Sequence, residues 1–134
     1  MPISSLSLLE SATITPSGGT ALPFILAGSP VNDAVKAYAS GDTDLRTRRS
    51  IHFSVKEPKV SATAPNGYTQ ARAQVYIKIP FSLDNGLVTT HSVRIEFAYD
   101  AEATQAEVLE MRKIACQAII DSDLDEFYNN LSLA

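Results

Sequence analysis

Between residues 46 and 99 the chain alternates apolar and polar residues at a period of two, in three separate stretches. One set of alternate positions holds Ile51, Phe53 and Val55, then Val75, Ile77 and Ile79, then Val93, Ile95, Phe97 and Tyr99. The other holds His52, Ser54 and Lys56, then Arg72, Gln74, Tyr76 and Lys78, then Ser92, Arg94 and Glu96. Successive side chains of a strand point to opposite sides of a sheet, so the pattern predicts half-buried antiparallel strands with one apolar and one polar face. The strands are predicted over residues 45–57, 71–79 and 91–99, the first two ended by Pro58 and Pro80, which have no N–H to give to a ladder. Pro65-Asn66-Gly67 and Asp84-Asn85-Gly86 are turn signals inside the two connections, at 58–69 and 81–90, so the strands join as a meander.

Upstream, residues 6–15 are apolar and strand-compatible, Pro16-Ser17-Gly18-Gly19 is a turn cluster, and residues 22–27 read as a returning strand. That predicts an N-terminal β-hairpin within residues 1–28. Residues 1–5 carry no strong pattern and read as a loose or docked arm. After a break at Gly28-Ser29-Pro30, residues 31–40 fit either a short strand or a helical turn or two. Alternation of Val35, Ala37 and Ala39 with Lys36, Tyr38 and Ser40 favours the strand.

At Asp100 the period changes to about 3.6. Thr104 with Glu107 fits a capping box at the start of a helix over residues 101–120, with Val108, Met111, Ala115, Ala118 and Ile119 on one face and Gln117 on the polar side. Ser122 with Asp125 is a second capping signal, before a shorter amphipathic helix carrying Leu124, Phe127, Tyr128 and Leu131. The predicted fold is α+β: an N-terminal hairpin, a meander sheet over residues 31–99 and two C-terminal helices within residues 101–134, at a length suited to one domain.

Two short helices cover only part of such a sheet, and an apolar remainder marks an interface. The last strand is also an open, apolar edge. The expected assembly is a two-fold homodimer in which edge strands pair and each subunit's helices pack on the partner's sheet.

Charge sharpens the polar face. The net charge of −4 divides into −3 over residues 1–45, +6 over residues 46–94 and −7 over residues 95–134. A basic sheet followed by an acidic tail suggests a polyanion on one surface, against the alternative of a solvated basic face with no partner. No stretch approaches the roughly 20 apolar residues a bilayer span needs, and the start of the chain has neither a basic region nor a long apolar run. The reading is a soluble protein made inside the cell, with no membrane partner.

Signals for catalysis, a metal or a cofactor are absent or weak. The two histidines, His52 and His91, have no metal-ligand spacing, and the neighbouring Ser50, Ser54 and Ser92 lie on strands without a nucleophile elbow or an orienting acid. Cys116 is a lone helical cysteine, expected as a small buried hydrophobe and unable to form an internal disulfide. Ser17-Gly18-Gly19 is too short for a phosphate loop, and Asp121, Asp123, Asp125 and Glu126 suit helix capping rather than calcium. The constellation that remains is Lys56, Arg72, Lys78 and Arg94 on one side of three strands, interleaved with Ser54, Gln74 and Tyr76. Cations neutralise phosphates, an aromatic ring stacks on an unpaired base, and hydroxyl and amide groups read base edges, which is what single-stranded RNA requires.

These residues resemble the coat proteins of the small single-stranded RNA bacteriophages (leviviruses). The resemblance rests on Phe53-Ser54-Val55-Lys56-Glu57-Pro58, on Gln74-Val75-Tyr76-Ile77-Lys78-Ile79-Pro80, and on the segment from Ser92 through Thr104, Glu107, Met111-Arg112 and Ala115; it covers residues 45 to 134. It implies an icosahedral shell of coat dimers, made in the bacterial host cytoplasm and residing in the virion, with the sheet facing inward and the helices outward. It also implies binding of single-stranded genomic RNA on the inner sheet face, with repression of replicase translation through an RNA hairpin, and no enzymatic activity. Carried over by position, Ser54 matches a serine of an adenine pocket, His52 stands where threonine is frequent, Arg72 matches a basic residue, and Gln74 and Tyr76 stand where threonine or glutamine and lysine are usual. The family's base-stacking tyrosine on the last strand has no counterpart, since Thr90 and Ser92 stand in that neighbourhood. The stacking role then passes to Tyr76, or hairpin recognition is weaker or different. Arg94 replaces a smaller polar or acidic residue, which exchanges base reading for phosphate attraction. The RNA-contacting set is therefore His52, Ser54, Lys56, Arg72, Gln74, Tyr76, Lys78, Ser92 and Arg94. Asp84, Asn85 and Gly86 are expected at contacts between dimers. The competing reading is a small dimeric RNA-binding regulator that never assembles.

Overall fold

The computed structural model describes residues 6–27 and 33–132. The expected arm at 1–5, the break at 28–30, the start of the strand predicted at 31–40 and the last two residues of the helical segment lie outside the described residues. One compact unit spans residues 19–102, and a second combines the chain up to Gly18 with residues from Ala103 onward.

In the first unit, β1 (Phe24–Leu26), β2 (Ala34–Ala39), β3 (Ser50–Lys56), β4 (Ala71–Ser82) and β5 (Val88–Tyr99) form one antiparallel sheet in sequential order. The meander is as predicted, with three differences of detail. First, residues 6–15 form no strand, and β1 pairs with β2 through Phe24–Ala39, Ile25–Tyr38 and Leu26–Ala37. The N-terminal hairpin is therefore β1–β2. Second, β3 starts at Ser50 rather than residue 45, because the preceding residues are tied into a turn. Asp42 accepts from the Arg49 backbone N–H (2.9 Å) and from its Nε (2.9 Å) and Nη2 (3.0 Å), while Asp44 binds Arg46. Those hydrogen bonds from Arg49 hold the Asp42 carboxyl down to about 2.

Third, Pro80 does not end β4. β3 stops opposite Lys78, so beyond that point β4 has a partner on the β5 side alone, and a proline nitrogen is tolerated on the unpaired side. The β4–β5 hairpin runs on to Ser82–Val88 and closes tightly: Leu83 N–H donates to Leu87 C=O (2.8 Å) and Gly86 N–H to Leu83 C=O (3.0 Å). Gly86 takes φ +83°, the left-handed position such a three-residue turn requires.

In the second unit, α1 (Gln105–Ile120) is capped by Thr104, whose Oγ1 accepts from Glu107 N–H at 3.2 Å. A 3₁₀ turn (Ser122–Leu124) leads into α2 (Asp125–Asn130). Its cap is Asp121, accepting from Asp123 N–H, one residue ahead of the predicted Ser122. Gln117, expected on the solvated side of α1, is instead its buried residue. Its amide binds both backbone groups of Leu9, with Oε1 accepting from N–H at 2.7 Å and Nε2 donating to C=O at 2.6 Å. Glu110 similarly accepts from Ser11 N–H (2.7 Å) and Oγ (3.1 Å). Leu9 and Ser11 thus find backbone partners on helix side chains, and most of the segment is exposed, where water satisfies the rest.

Burial is sparse in both units. Among the described residues the buried apolar side chains are Ala37, Ala39 and Leu124, while Phe53 (43% exposed), Val55, Ile79 and Val93 on the apolar sheet face are open, as are Leu109, Ile114 and Ile119 on α1. Exposed apolar area of this extent is the signature of an interface surface rather than of a finished core. Among the described residues no helix is long and apolar enough to cross a membrane.

Candidate functional site

The register converts the alternating sequence into four rungs on the polar face. Tyr38, Ser50, Lys78 and Ser92 lie side by side across β2 to β5; next come Lys36, His52, Tyr76 and Arg94; then Ala34, Ser54, Gln74 and Glu96; then Lys56, Arg72 and Ala98 on β3 to β5. All nine residues assigned from sequence, His52, Ser54, Lys56, Arg72, Gln74, Tyr76, Lys78, Ser92 and Arg94, share this face. Neighbouring strands lie about 4.8 Å apart and successive rungs about 7 Å apart, so the side chains form one continuous surface.

Tyr76 is its centre. Its ring has Arg94 Cζ at 4.5 Å and Lys78 Nζ at 5.2 Å from the centroid, and lies 6.0 Å from the His52 ring at an angle of 51°. Hydrogen bonds with Ser92 and Arg94, together with the nearby positive charge, draw the phenol below its ordinary pKa. An open depression of about 260 Å³ beside it is lined by His52, Ser54, Gln74, Tyr76 and Arg94, with Ala34 and Phe53. A second, of about 240 Å³, lies over Ser54, Lys56, Arg72, Gln74 and Glu96.

Charge on the face is unevenly available. Arg72 makes an ion pair with Glu96 through Nη1 and Oε1, so its attraction for a phosphate is partly cancelled by a neighbouring carboxylate. Lys56, Lys78 and Arg94 make no such pair among the described residues. His52 lies under burial and the fields of Lys78 and Lys36, which lower its pKa, and its Nε2 is buried without a hydrogen-bond partner.

β2 contributes two residues that periodicity alone leaves out of the site. Lys36 is paired with His52 and Tyr38 with Ser50, and Arg48 Cζ sits 4.1 Å from the Tyr38 ring centroid. Their alternation is visible in the sequence, but their placement on the basic face follows only from the β2–β3 register. Among the described residues the rungs therefore carry five cations, Lys36, Lys56, Arg72, Lys78 and Arg94, against one carboxylate, Glu96, with Arg48 beside them over Tyr38. Such an array can neutralise a phosphate backbone while Tyr76 and Arg94 offer planar groups for stacking.

Other sequence candidates lie elsewhere. His91 is paired with Ile79 on the apolar side and stacks on Phe81 with ring centroids 5.3 Å apart. Asp84, Asn85 and Gly86 form the tip of the β4–β5 hairpin, away from the rungs. Cys116 is exposed, not buried as expected: it sits on the α1 face beside the N-terminal segment, lining a cleft with Thr13, Ile14, Leu109, Arg112 and Lys113 that the docked segment leaves open. Among the described residues no group of three or more His, Cys, Asp or Glu side chains is placed to hold a metal ion.

No family model and no curated protein matches the sequence. Solved structures do. The chain is similar to that of the virus-like particle of bacteriophage GQ-907, with 32% identity over 98% of this chain and 99% of that one and a TM-score of 0.87. The virus-like particle of bacteriophage ESE058 has the same fold at 14% identity, over 94% of each chain, with a TM-score of 0.67. That of Wenzhou levi-like virus 4 matches at 12% identity, over 90% of this chain and 84% of that one, with a TM-score of 0.65.

Proposed function

The chain belongs to the coat proteins of the single-stranded RNA bacteriophages, and on that premise we propose that it assembles as homodimers into an icosahedral shell and holds genomic RNA on the polar sheet face. The observation that carries the RNA reading is the rung register, which, among the described residues, puts five cations on the rungs of the face that holds Tyr76 against a single carboxylate. Support for the dimer comes from the exposed apolar face and from β5, a twelve-residue strand paired on one side only. Pairing two β5 edges about a two-fold axis satisfies both sets of backbone groups and makes one polar surface from two sheets. The helices of one subunit then cover the apolar face of the other. RNA held on this surface also supports repression of translation when the bound segment is a messenger hairpin.

Expression of the chain alone should yield spherical particles containing host RNA, seen by electron microscopy and by absorbance at the nucleic-acid maximum. A reconstruction should place Asp84, Asn85 and Gly86 at contacts between dimers. A stable monomer, or dimers that bind RNA but never assemble, would reject the shell; the latter outcome belongs to a regulatory RNA-binding dimer.

Replacing Lys56, Arg72 and Lys78 together by glutamine should weaken RNA binding and flatten its salt dependence. Every phosphate that is no longer neutralised takes about 0.7 from the slope of log K against log salt for a single strand, so the triple variant should bind with a slope smaller by about 2. The Arg72–Glu96 pair should make Arg72 the smallest contributor of the three. An unchanged slope, measured by fluorescence anisotropy across a salt series, would remove these residues from the interface.

A further inference from the structure

His52 occupies the middle of the second rung. Lys36 of β2 is paired with it on one side and Tyr76 of β4 on the other, with Arg94 of β5 next beyond and Lys78 one rung along β4. Its own strand places Ser50 and Ser54 beside it on the same face and Lys56 further along. Every permanent charge next to it on these strands is positive; Glu96 lies a rung away, two strands over, and is tied to Arg72. Among the described residues no acid lies beside the ring to stabilise a proton, and Nε2 is buried without a partner. Burial, then the fields of Lys78 and Lys36, push its pKa below that of an ordinary histidine, so the free protein carries a neutral imidazole at neutral pH.

Two of those causes are reversible. A phosphate chain laid over Lys36 and Lys78 cancels the positive potential at the ring and replaces it with a negative one. We propose that His52 is a proton-linked contact for RNA: when a phosphate backbone occupies the polar face, His52 takes up a proton and becomes a third cation between Lys36 and Lys78, so the face grips RNA more tightly in mild acid than in mild base. This rests on the RNA reading of the face.

The sign follows from linkage. RNA that favours the protonated ring must bind more tightly as pH falls through the window between the bound and free titrations. Above both, neither state holds the proton; below both, each does, and the preference saturates. Each unit of separation is a factor of ten in affinity. For a coat protein the consequence is that RNA is retained or released with one proton per site, and not only by salt.

The test is binding of a fluorescent oligouridylate to full-length, RNA-free protein at constant ionic strength between about pH 5 and pH 8, the range in which histidine titrates. Uracil itself gains and loses no proton there. The affinity should rise about three- to tenfold toward the acid end, H52Q should bind with a flat profile, and H91Q, on the other face, should keep the wild-type profile. Calorimetry of the wild-type protein in two buffers of different ionisation enthalpy should record proton uptake on binding, which does not depend on any variant folding. Salt-sensitive binding with no pH dependence and no proton uptake would overturn the role of His52 while leaving the RNA face intact, as would a pH dependence that survives in H52Q. Absence of salt-sensitive binding at every pH would overturn the RNA face itself.

Discussion

Phe53→Asp should abolish particle formation. Phe53 lies on the apolar face, side by side with Val35, Val75 and Ile95, and 43% of it is open in the single chain. Were that face solvent-exposed in the working protein, the substitution would cost little, within about 0.5 kcal/mol for an ordinary surface position. If a partner's helices cover it, as proposed, the outcome differs. Losing the phenyl ring forfeits about 1.5–3 kcal/mol of burial, and an unpaired carboxylate enclosed there adds several kcal/mol more. Since a shell multiplies this loss over every dimer, the expected result is no particles by electron microscopy and no dimer by light scattering. Particles at wild-type yield would show that the apolar face is not the dimer surface.

The same face is legible in the amino-acid sequence, because burial demands alternate residues of a strand and the chain supplies them from Ile51 to Tyr99. So is the start of α1, where Thr104 offers its hydroxyl to the third residue on. Pairing between distant parts of the chain is not legible in this way. Residues 6–15 have the composition of a strand, yet Leu9 is satisfied by Gln117, 108 positions later, and no local pattern announces a side chain acting as a backbone partner. Pro80 reads as a terminator until β3 is known to end opposite Lys78. The site behaves the same way. Its polar residues are visible singly, but Lys36 joins them and Arg72 is tied to Glu96 through register alone, which local periodicity leaves open by any even number of residues. A lone helical cysteine is usually buried, whereas the N-terminal segment that shares the face of Cys116 leaves it uncovered.

Tyr76 shows what that register is worth, and Tyr76→Ala should cost the interface more than loss of any single cation. The ring has three neighbours that depend on it: Arg94 and Lys78 rest against it at 4.5 and 5.2 Å, and His52 packs on its far side in the rung. Tyr99, the tyrosine of β5, lies on the apolar face, so if the polar face holds RNA as proposed, stacking of an unpaired base on these two strands falls to Tyr76, and such stacking is worth about 1–3 kcal/mol per base. RNA affinity should therefore drop about five- to 150-fold. The salt slope should stay close to that of the wild type, since no phosphate-binding charge is removed. Tyr76→Phe separates ring from hydroxyl. It keeps the platform under Arg94 and gives up the hydrogen bonds with Ser92 and Arg94, so its loss should be the smaller one. Particle yield should be unchanged in both variants, because the ring lies on the face opposite Phe53. Equal affinities for the wild type and the alanine variant would mean that RNA is held by charge alone, and an altered slope would mean that the ring acts by positioning Arg94 and Lys78 rather than by stacking.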